Sequence, residues 1–395
     1  MKRILFVDDE ARVLDGLKRS LRGKRQVWEL VFATSGAAAI EELERGVFDV
    51  VVSDMRMPSM DGAELLHRVE TLQPQAARIV LSGQMEESAA TRAANVAHRF
   101  LTKPCEPSAL ENAIARTLDL RELLGSEQLR QCVGGMVTLP SLPTACLALN
   151  RVLADKNGSI GQVCAIIEED VGMAAKVLQL VNSAFFGASR RVTDVQQAVS
   201  YLGMNTIRNL VLSQSLFRAF GPSNLLDLEV EQKHALFAAR IVKQLTNDSK
   251  FVQVATTAAL LHDAGMLALA SRLPEQLNTH IAEATRRCVP LHVVEREQLG
   301  VTHAEVGAYL LGLWALPHDV LEAVATHHAA WSDEPVLDVS GVVRVAVALA
   351  AELTMSAEQL ALHCAPLSPQ LIGQLGLDEQ VAMIRAQAHE SLAAS

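Results

Sequence analysis

Aromatic side chains are scarce: Phe, Trp and Tyr make up 4% of 395 residues, while 50% are apolar. The cores must therefore be aliphatic and rich in alanine. No apolar run reaches the ~18 residues that a membrane span needs. The longest candidate, around Val342–Leu353, is interrupted by Arg344 and Glu352, so no membrane partner is expected. Met1-Lys2-Arg3 leads straight into ILFVDDE, too short and too soon acidic for a signal peptide. Cys105, Cys132, Cys146, Cys164, Cys288 and Cys364 show no CxxC spacing, which marks them as reduced, partly buried thiols of a cytoplasmic protein. Basic charge is missing where nucleic acid would require it. Residues 1–121 hold 17 Lys/Arg and 18 Asp/Glu, a net of −1, and the remaining 18 basic and 27 acidic residues leave −9. Neutralising phosphates takes clustered Lys/Arg, so DNA is not an expected partner and a protein or small molecule is.

What is present begins with strands. Arg3–Val7, Val27–Ala33, Val50–Val52, Arg78–Leu81 and Arg99–Thr102 are short apolar runs, and helical periodicity fills the intervals after residue 10, after Ser35/Gly36, from Gly62 to Leu72 and over Glu86–Val96. Five strands alternating with helices in about 120 residues predict an α/β doubly wound, five-stranded parallel sheet in the order 2-1-3-4-5. The stretch from Val50 to Gly62 organises it. A strand apolar on both faces ends at Asp54, and Pro58 and Gly62 punctuate the following turn.

Asp8, Asp9, Asp54, Ser82 and Lys103 all fall at the C-terminal ends of neighbouring strands, so that order brings them to one crevice. Three carboxylates there repel one another unless a hard divalent cation lies among them, and Mg²⁺ suits oxygen donors with open positions for water and phosphate. Lys103 and Ser82 can each meet a phosphoryl oxygen, and Asp54, central in the sheet, can attack the phosphorus. This arrangement resembles a response-regulator receiver domain over residues 1–121. The resemblance implies that a sensor histidine kinase or phosphotransfer protein phosphorylates Asp54, that Mg²⁺ is held by Asp9, Asp54 and the Arg56 carbonyl beside Asp8, and that Phe100 moves with Ser82 as a switch pair.

A helix expected over 106–131 presents Leu110, Ile114, Leu118, Leu120, Leu123 and Leu124 on one face. Docking on the receiver is the expectation for that face, and a homodimer is the other use open to it. Residues 122–138 form a connector, broken at Gly134-Gly135 and followed by LPSLP (Leu139–Pro143). From Leu142 onward strand signals vanish and a series of short helices predicts a separate all-α domain, without a fixed repeat period. Among these, Thr206–Phe220 and Val254–Leu269 are each expected as one continuous helix, and residues 336–395 as a C-terminal helical extension packing on the domain.

Histidines stand out in this half. His262 and Asp263 adjoin in ALLHDAG, expected on a helix; His234 lies on an earlier helix, His303 opens a later one, and His327-His328 close the next. Imidazole and carboxylate together suit Zn²⁺, Mn²⁺ or Fe, whereas a lone histidine is usually a half-buried helix-face residue. Residues 139–335 resemble the HD superfamily of metal phosphohydrolases, and most of all its HDOD branch, on EEDVGMAAKVLQLVNSAFFG, AVSYLGMNTIRNLVL, LLHDAG, THAEVGAYLLGLW and the segment ending at His328. HDOD domains resemble HD hydrolases in fold but are regarded as non-catalytic regulatory modules. The departures here agree: HDAG is followed by Met266 where related cyclic di-GMP phosphodiesterases carry a lysine soon after HD, Ala329-Ala330-Trp331 follow the histidine pair, and Val347 stands where a last metal-binding aspartate is expected. The expectation is a phosphorelay switch acting through a non-catalytic output on a downstream protein or nucleotide ligand, with a receiver-controlled phosphodiesterase as the alternative. A second metal in the helical half stays open but is not the expectation.

Overall fold

The computed structural model describes residues 1–82, 96–123, 133, 136, 140–141, 143–155, 158–182, 192–212, 218–219, 228–246, 249–314, 316–363 and 366–393. Its N-terminal sheet runs β1 (Lys2–Val7), β2 (Trp28–Ala33), β3 (Val50–Asp54), β4 (Ala77–Ser82) and β5 (Arg99–Thr102), all parallel, in the order β2-β1-β3-β4-β5. Helices α1 (Ala11–Ser20), α2 (Gly36–Arg45), α3 (Gly62–Leu72) and α4 (Pro107–Leu123) connect or follow these strands. The helix expected over Glu86–Val96 falls almost wholly outside the described residues.

Strand order follows from burial. Every residue of β3 and β4 is buried, which only the middle of a sheet covered on both faces allows. Val7 lies opposite Ser53, Asp54 opposite Leu81, and Ser82 opposite Thr102, so the strands end nearly level. Ser35 and Asp61 cap α2 and α3 by accepting from the amides of Ala38 and Glu64.

Among the described residues, the remainder is helical apart from one small element. Two-residue strands β6 (Pro140–Ser141) and β7 (Arg218–Ala219) pair in parallel. This corrects the single helix expected over Thr206–Phe220: the helix is described as far as Leu212, and Arg218 and Ala219 belong to a strand pair. The helices are α5 (Pro143–Ala154), α6 (Ile160–Glu168), α7 (Val171–Val181), α8 (Val195–Leu212), α9 (Leu228–Leu245), α10 (Ser249–Leu261), α11 (Ala264–Arg272), α12 (Pro274–Arg287), α13 (Leu291–Leu299), α14 (His303–Leu313), α15 (His318–Thr326), α16 (Val339–Thr354), α17 (Ala357–His363), α18 (Pro369–Gln374) and α19 (Asp378–Ala393). Gly203 (φ 76°) breaks the helical path within α8. Many of these helices are shorter than the ~12–15 residues that hold a helix alone in water, so caps and packing must hold them. Ser159 with Gln162 and Thr302 with Glu305 form capping boxes at the starts of α6 and α14.

A second correction concerns Val254–Leu269. The expected single helix is two, α10 and α11, parted by a turn at His262-Asp263. The whole passage Phe251–Arg272 is long and apolar enough to cross a membrane by length and composition, but 83% of that apolar window is buried inside the protein. Its alanines 255, 258, 259, 264, 268 and 270 are buried and let neighbouring helices approach closely.

The two halves touch. The Arg99 guanidinium donates to the Ala113 carbonyl at 3.0 Å, tying α4 to β5. Leu110, Ile114 and Leu118 of α4 are buried, and the helix packs on α14 as well as serving the sheet. Every residue of α7 is buried, and its Gln179 amide donates to the His98 carbonyl, two residues before Phe100, at 3.4 Å.

Candidate functional site

The level C-terminal strand ends decide the first site. Asp8 follows β1, Asp54 ends β3, Ser82 ends β4 and Lys103 follows β5. Lys103 and Asp8 are 95 residues apart, yet Lys103 Nζ donates to Asp8 Oδ2 at 2.6 Å and also pairs with Asp54. Asp8 and Ser82 are 1% and 4% exposed, and Phe100 on β5 is buried with them. The Arg56 amide donates to Asp54 Oδ2 at 2.8 Å, and the Glu10 amide to Asp8 Oδ1 at 2.9 Å, which fixes both carboxylates. Gly62 lies under Asp54, where a Cβ would stand 2.2 Å from the Asp54 carbonyl oxygen, so the turn requires glycine. Asp9 is exposed at the rim. The structure thus brings Asp8, Asp54, Ser82 and Lys103 to one sheet edge, with the Lys103 ammonium standing between two carboxylates where a cation's charge is called for.

Burial raises the Asp54 carboxyl above its usual range despite Lys103 beside it. Burial opposes the Lys103 charge, but Asp54 and Asp8 outweigh it and raise that ammonium. A raised acid pKa means that Asp54 costs no folding stability below its ordinary pKa, an increasing amount between the ordinary and the raised value, and the full amount above it. Without Mg²⁺ at neutral pH, Asp54→Asn should therefore melt a few degrees above wild type, and millimolar Mg²⁺ should narrow the gap by stabilising wild type alone. Thermal melts with and without Mg²⁺ check this; an Asn variant that melts lower than wild type without Mg²⁺ refutes it.

The second gathering lies in the helical half. His234 on α9, the turn residues His262 and Asp263, His303 at the first position of α14, and His327 and His328 after α15 all converge, as the sequence spacing suggested. The turn corrects the expectation that His262 and Asp263 ride on a helix. Asp263 stands at the N-cap of α11 but makes no cap hydrogen bond, since its carboxylate is turned to the histidines. Its Oδ1 lies 3.4 Å from His303 Nε2 and 3.6 Å from His327 Nε2, and its Oδ2 lies 2.7 Å from His262 Nε2, off the line a hydrogen bond needs. His262 Nδ1 meets the Ala259 carbonyl at 2.7 Å, and His327 Nδ1 meets the Val324 carbonyl at 2.7 Å. His303 Nδ1 meets Glu295 Oε2 at 2.7 Å, and its Nε2 is 2.9 Å from His328 Nε2.

Electrostatics divides these rings. Burial opposes charge on His303, but Glu295 and Asp263 overcome it and lift its pKa to about 10. Burial lowers His327 to about 4 and holds His234 and His328 well below the ordinary value. Asp263 stays ionised well below the usual range; burial works against this, and His262 and the other rings overcome it.

Two family models match the chain: "Response regulator receiver domain" over residues 4–115 and "HDOD domain" over residues 139–330. The chain is a two-component response regulator. The regulator is 30% identical over 196 residues to an uncharacterised protein of Treponema pallidum (strain Nichols), a match covering 48% of this chain and 37% of that one. It is 32% identical over 159 residues to the transcriptional regulatory protein GlrR of Escherichia coli (strain K12), covering 40% of this chain and 34% of GlrR. It thus spans about a third of the length of each of these curated relatives. Among solved structures, the MmoQ response regulator of Methylococcus capsulatus str. Bath aligns at 25% identity and TM-score 0.49, over 62% of this chain and 97% of that one.

Sequence spacing overlooked four members of the regulator's histidine gathering. Glu295 lies on α13, a helix absent from the sequence expectation, and holds His303. His292 stacks on His328 with ring centroids 4.3 Å apart. His363 closes α17, with its Nε2 3.4 Å from Glu231 Oε1 and its ring 5.4 Å from His234. Glu231 lies one helical turn before His234, and that i, i+3 spacing is a signal the sequence did offer.

Proposed function

We propose that this regulator is switched by phosphorylation of Asp54 and that its HDOD half is a non-catalytic reader of that switch. The observation that carries the reading is Lys103 meeting Asp8 and Asp54 at the edge of the sheet. An Asp54 oxygen attacks the phosphorus of a phosphohistidine on a kinase or phosphotransfer protein; the new P–O bond forms as the P–N bond breaks, and the imidazole leaves. Mg²⁺ supplies charge neutralisation for the phosphoryl oxygens, and the oxygen donors Asp8, Asp9, Asp54 and the Arg56 carbonyl are of the type it takes. Lys103 offers its ammonium to one phosphoryl oxygen and Ser82 its hydroxyl to another. Ser82 drawn to the phosphoryl group makes room for Phe100 to move inward on the neighbouring strand. That motion is two residues from the His98 carbonyl held by Gln179, and β5 is tied to α4, which lies on α14. The signal is read where β5 and α4 meet α7 and α14, and a downstream protein or nucleotide ligand responds to the altered face.

Hydrogen exchange tests this route. Protection of residues 303–313 should change when acetyl phosphate and Mg²⁺ are added to wild type, and should stay constant in Asp54→Asn. An equal response in both proteins refutes it. The non-catalytic reading rests on Met266, Ala329, Ala330 and Val347, which supply neither the phosphate-binding lysine nor the last carboxylate of an HD phosphodiesterase. Cyclic di-GMP with Mn²⁺ should remain intact; turnover that vanishes in His262→Ala would instead establish the phosphodiesterase.

A further inference from the structure

Four helices of the HDOD half enclose a cavity of about 270 Å³, away from the histidine gathering. Leu236, Arg240 and Lys243 recur on one side of α9, and Val252, Thr256 and Leu260 on one side of α10, at the three- and four-residue spacing that lines up a helix face. Glu168 at the end of α6, Glu169 after it, and Asp194 and Gln196 about the start of α8 supply the polar remainder of the lining. Helix α6 packs on α8 and α9 on α10, and the Thr257 hydroxyl joins the two pairs by donating to the Thr193 carbonyl.

Three carboxylates and two cations therefore share one cavity. None of the five forms an ion pair among the described residues, so the charges stand apart across the space. Asp194 gives Oδ1 to the Gln197 amide at 2.8 Å, which fixes its carboxylate and leaves Oδ2 over. Burial raises the Glu168 carboxyl above its ordinary range; Gln196 and Lys243 oppose the rise, and Asp194 and Glu169 add to it. A positive group beside Glu168 would relieve both the burial and the repulsion. The hydroxyl oxygen of Thr256 is buried without a hydrogen-bond partner, so this wall has polar capacity left over.

We propose that the cavity binds a small aliphatic α-amino acid, with its ammonium at Glu168 and Asp194 and its carboxylate at Arg240 and Lys243. Drug-sized ligands occupy pockets of ~300–1,000 Å³, so this one suits a smaller molecule. A phosphate or a plain carboxylic acid would bring negative charge to three carboxylates, and a plain amine would leave Arg240 and Lys243 unanswered; only a zwitterion answers both. Leu236, Val252 and Leu260 offer an aliphatic side chain an apolar surface. A ligand held at both ends would clamp α6 and α8 to α9 and α10, giving the helical half a metabolite input of its own. No lining residue belongs to the receiver, so the proposal is independent of phosphorylation at Asp54.

Calorimetric titration of the full chain with L-valine and L-leucine tests this. At least one should bind saturably. For valine, 3-methylbutanoate keeps the carboxylate and isobutylamine keeps the amine; for leucine, 4-methylpentanoate and isoamylamine do the same. Each should bind ~10-fold or more weakly than its parent, the loss of one charged hydrogen-bonding end. Glu168→Gln and Lys243→Ala should each weaken binding of the amino acid by ~10-fold or more with the circular dichroism unchanged, since one keeps the side chain's shape and the other alters an exposed position. No binding of either amino acid overturns the proposal. So does an amine that binds as tightly as its parent, which would make the cavity a simple cation site, and so does full affinity in both variants.

Discussion

Incubated with acetyl phosphate and Mg²⁺, the wild-type chain gains a phosphoryl group and Asp54→Asn gains none, a loss of at least ~100-fold in labelling rate. The amide keeps the shape of the carboxylate and its hydrogen bond from the Arg56 amide, but it has no anionic oxygen with which to attack phosphorus. Lys103→Ala should label slowly, by ~10²-fold, because it removes preorganised charge from the transferring phosphoryl oxygens and leaves Asp8 and Asp54 facing without a cation between them. Intact-mass measurement over a time course separates the two variants, since one lacks the acceptor and the other only the accelerating charge. Undiminished labelling of Asp54→Asn would move the acceptor elsewhere and end the reading of this sheet edge.

The largest stability effect is expected far from that edge, from Gly265→Ala. A Cβ at Gly265 would stand 1.9 Å from the His303 carbonyl oxygen and 2.5 Å from the Gly307 amide nitrogen. Both neighbours are backbone, so no flexible side chain can swing aside and α11 must move off α14. Overpacking of this kind typically costs ~1–3 kcal/mol, and a rigid backbone contact belongs at or beyond the upper end. The damage is local in a useful sense, because α14 begins with His303 and Gly265 lies two residues after Asp263. The variant should therefore also lose the close approach of the two residues. Gly161→Ala is the control: its Cβ would meet nothing nearer than Ser159 Oγ at 4.0 Å, and alanine is the better helix former. Urea denaturation should show a large fall in midpoint for the first and no fall for the second. Equal midpoints would mean that the helices yield freely at this contact.

Most of the N-terminal sheet was legible because its signals are local. A strand buried on both faces announces itself as a run of Val and Ile, and the acidic or polar residue ending each strand is next to it in sequence. Parallel order then places Asp8, Asp54, Ser82 and Lys103 together without any knowledge of side-chain packing. The helical half was legible in its helices and less so in their ends. ALLHDAGMLALA carries no Pro or Asn to stop a helix, yet the chain turns at His262-Asp263 because Asp263 turns its carboxylate to three imidazoles instead of capping α11. Leu291–Leu299 follows too soon after α12 and is too charged to stand out as a helix. His363 could not be placed at all, since nothing in a sequence tells a histidine on a late surface-like helix that it will meet one 129 residues earlier.

His262 and His327 are aimed by the same device. Each is the first residue past a helix, and each ring occupies a carbonyl three residues back, one of the last-turn acceptors that a helix end leaves over. Helix length therefore works as a protractor. One residue inserted into α10 or α15 would swing the following ring by ~100° and point it into packed alanine, leaving composition, burial pattern and fold otherwise intact. Among relatives of this regulator, the lengths of those two helices should accordingly tolerate less drift than the identities of the side chains along them.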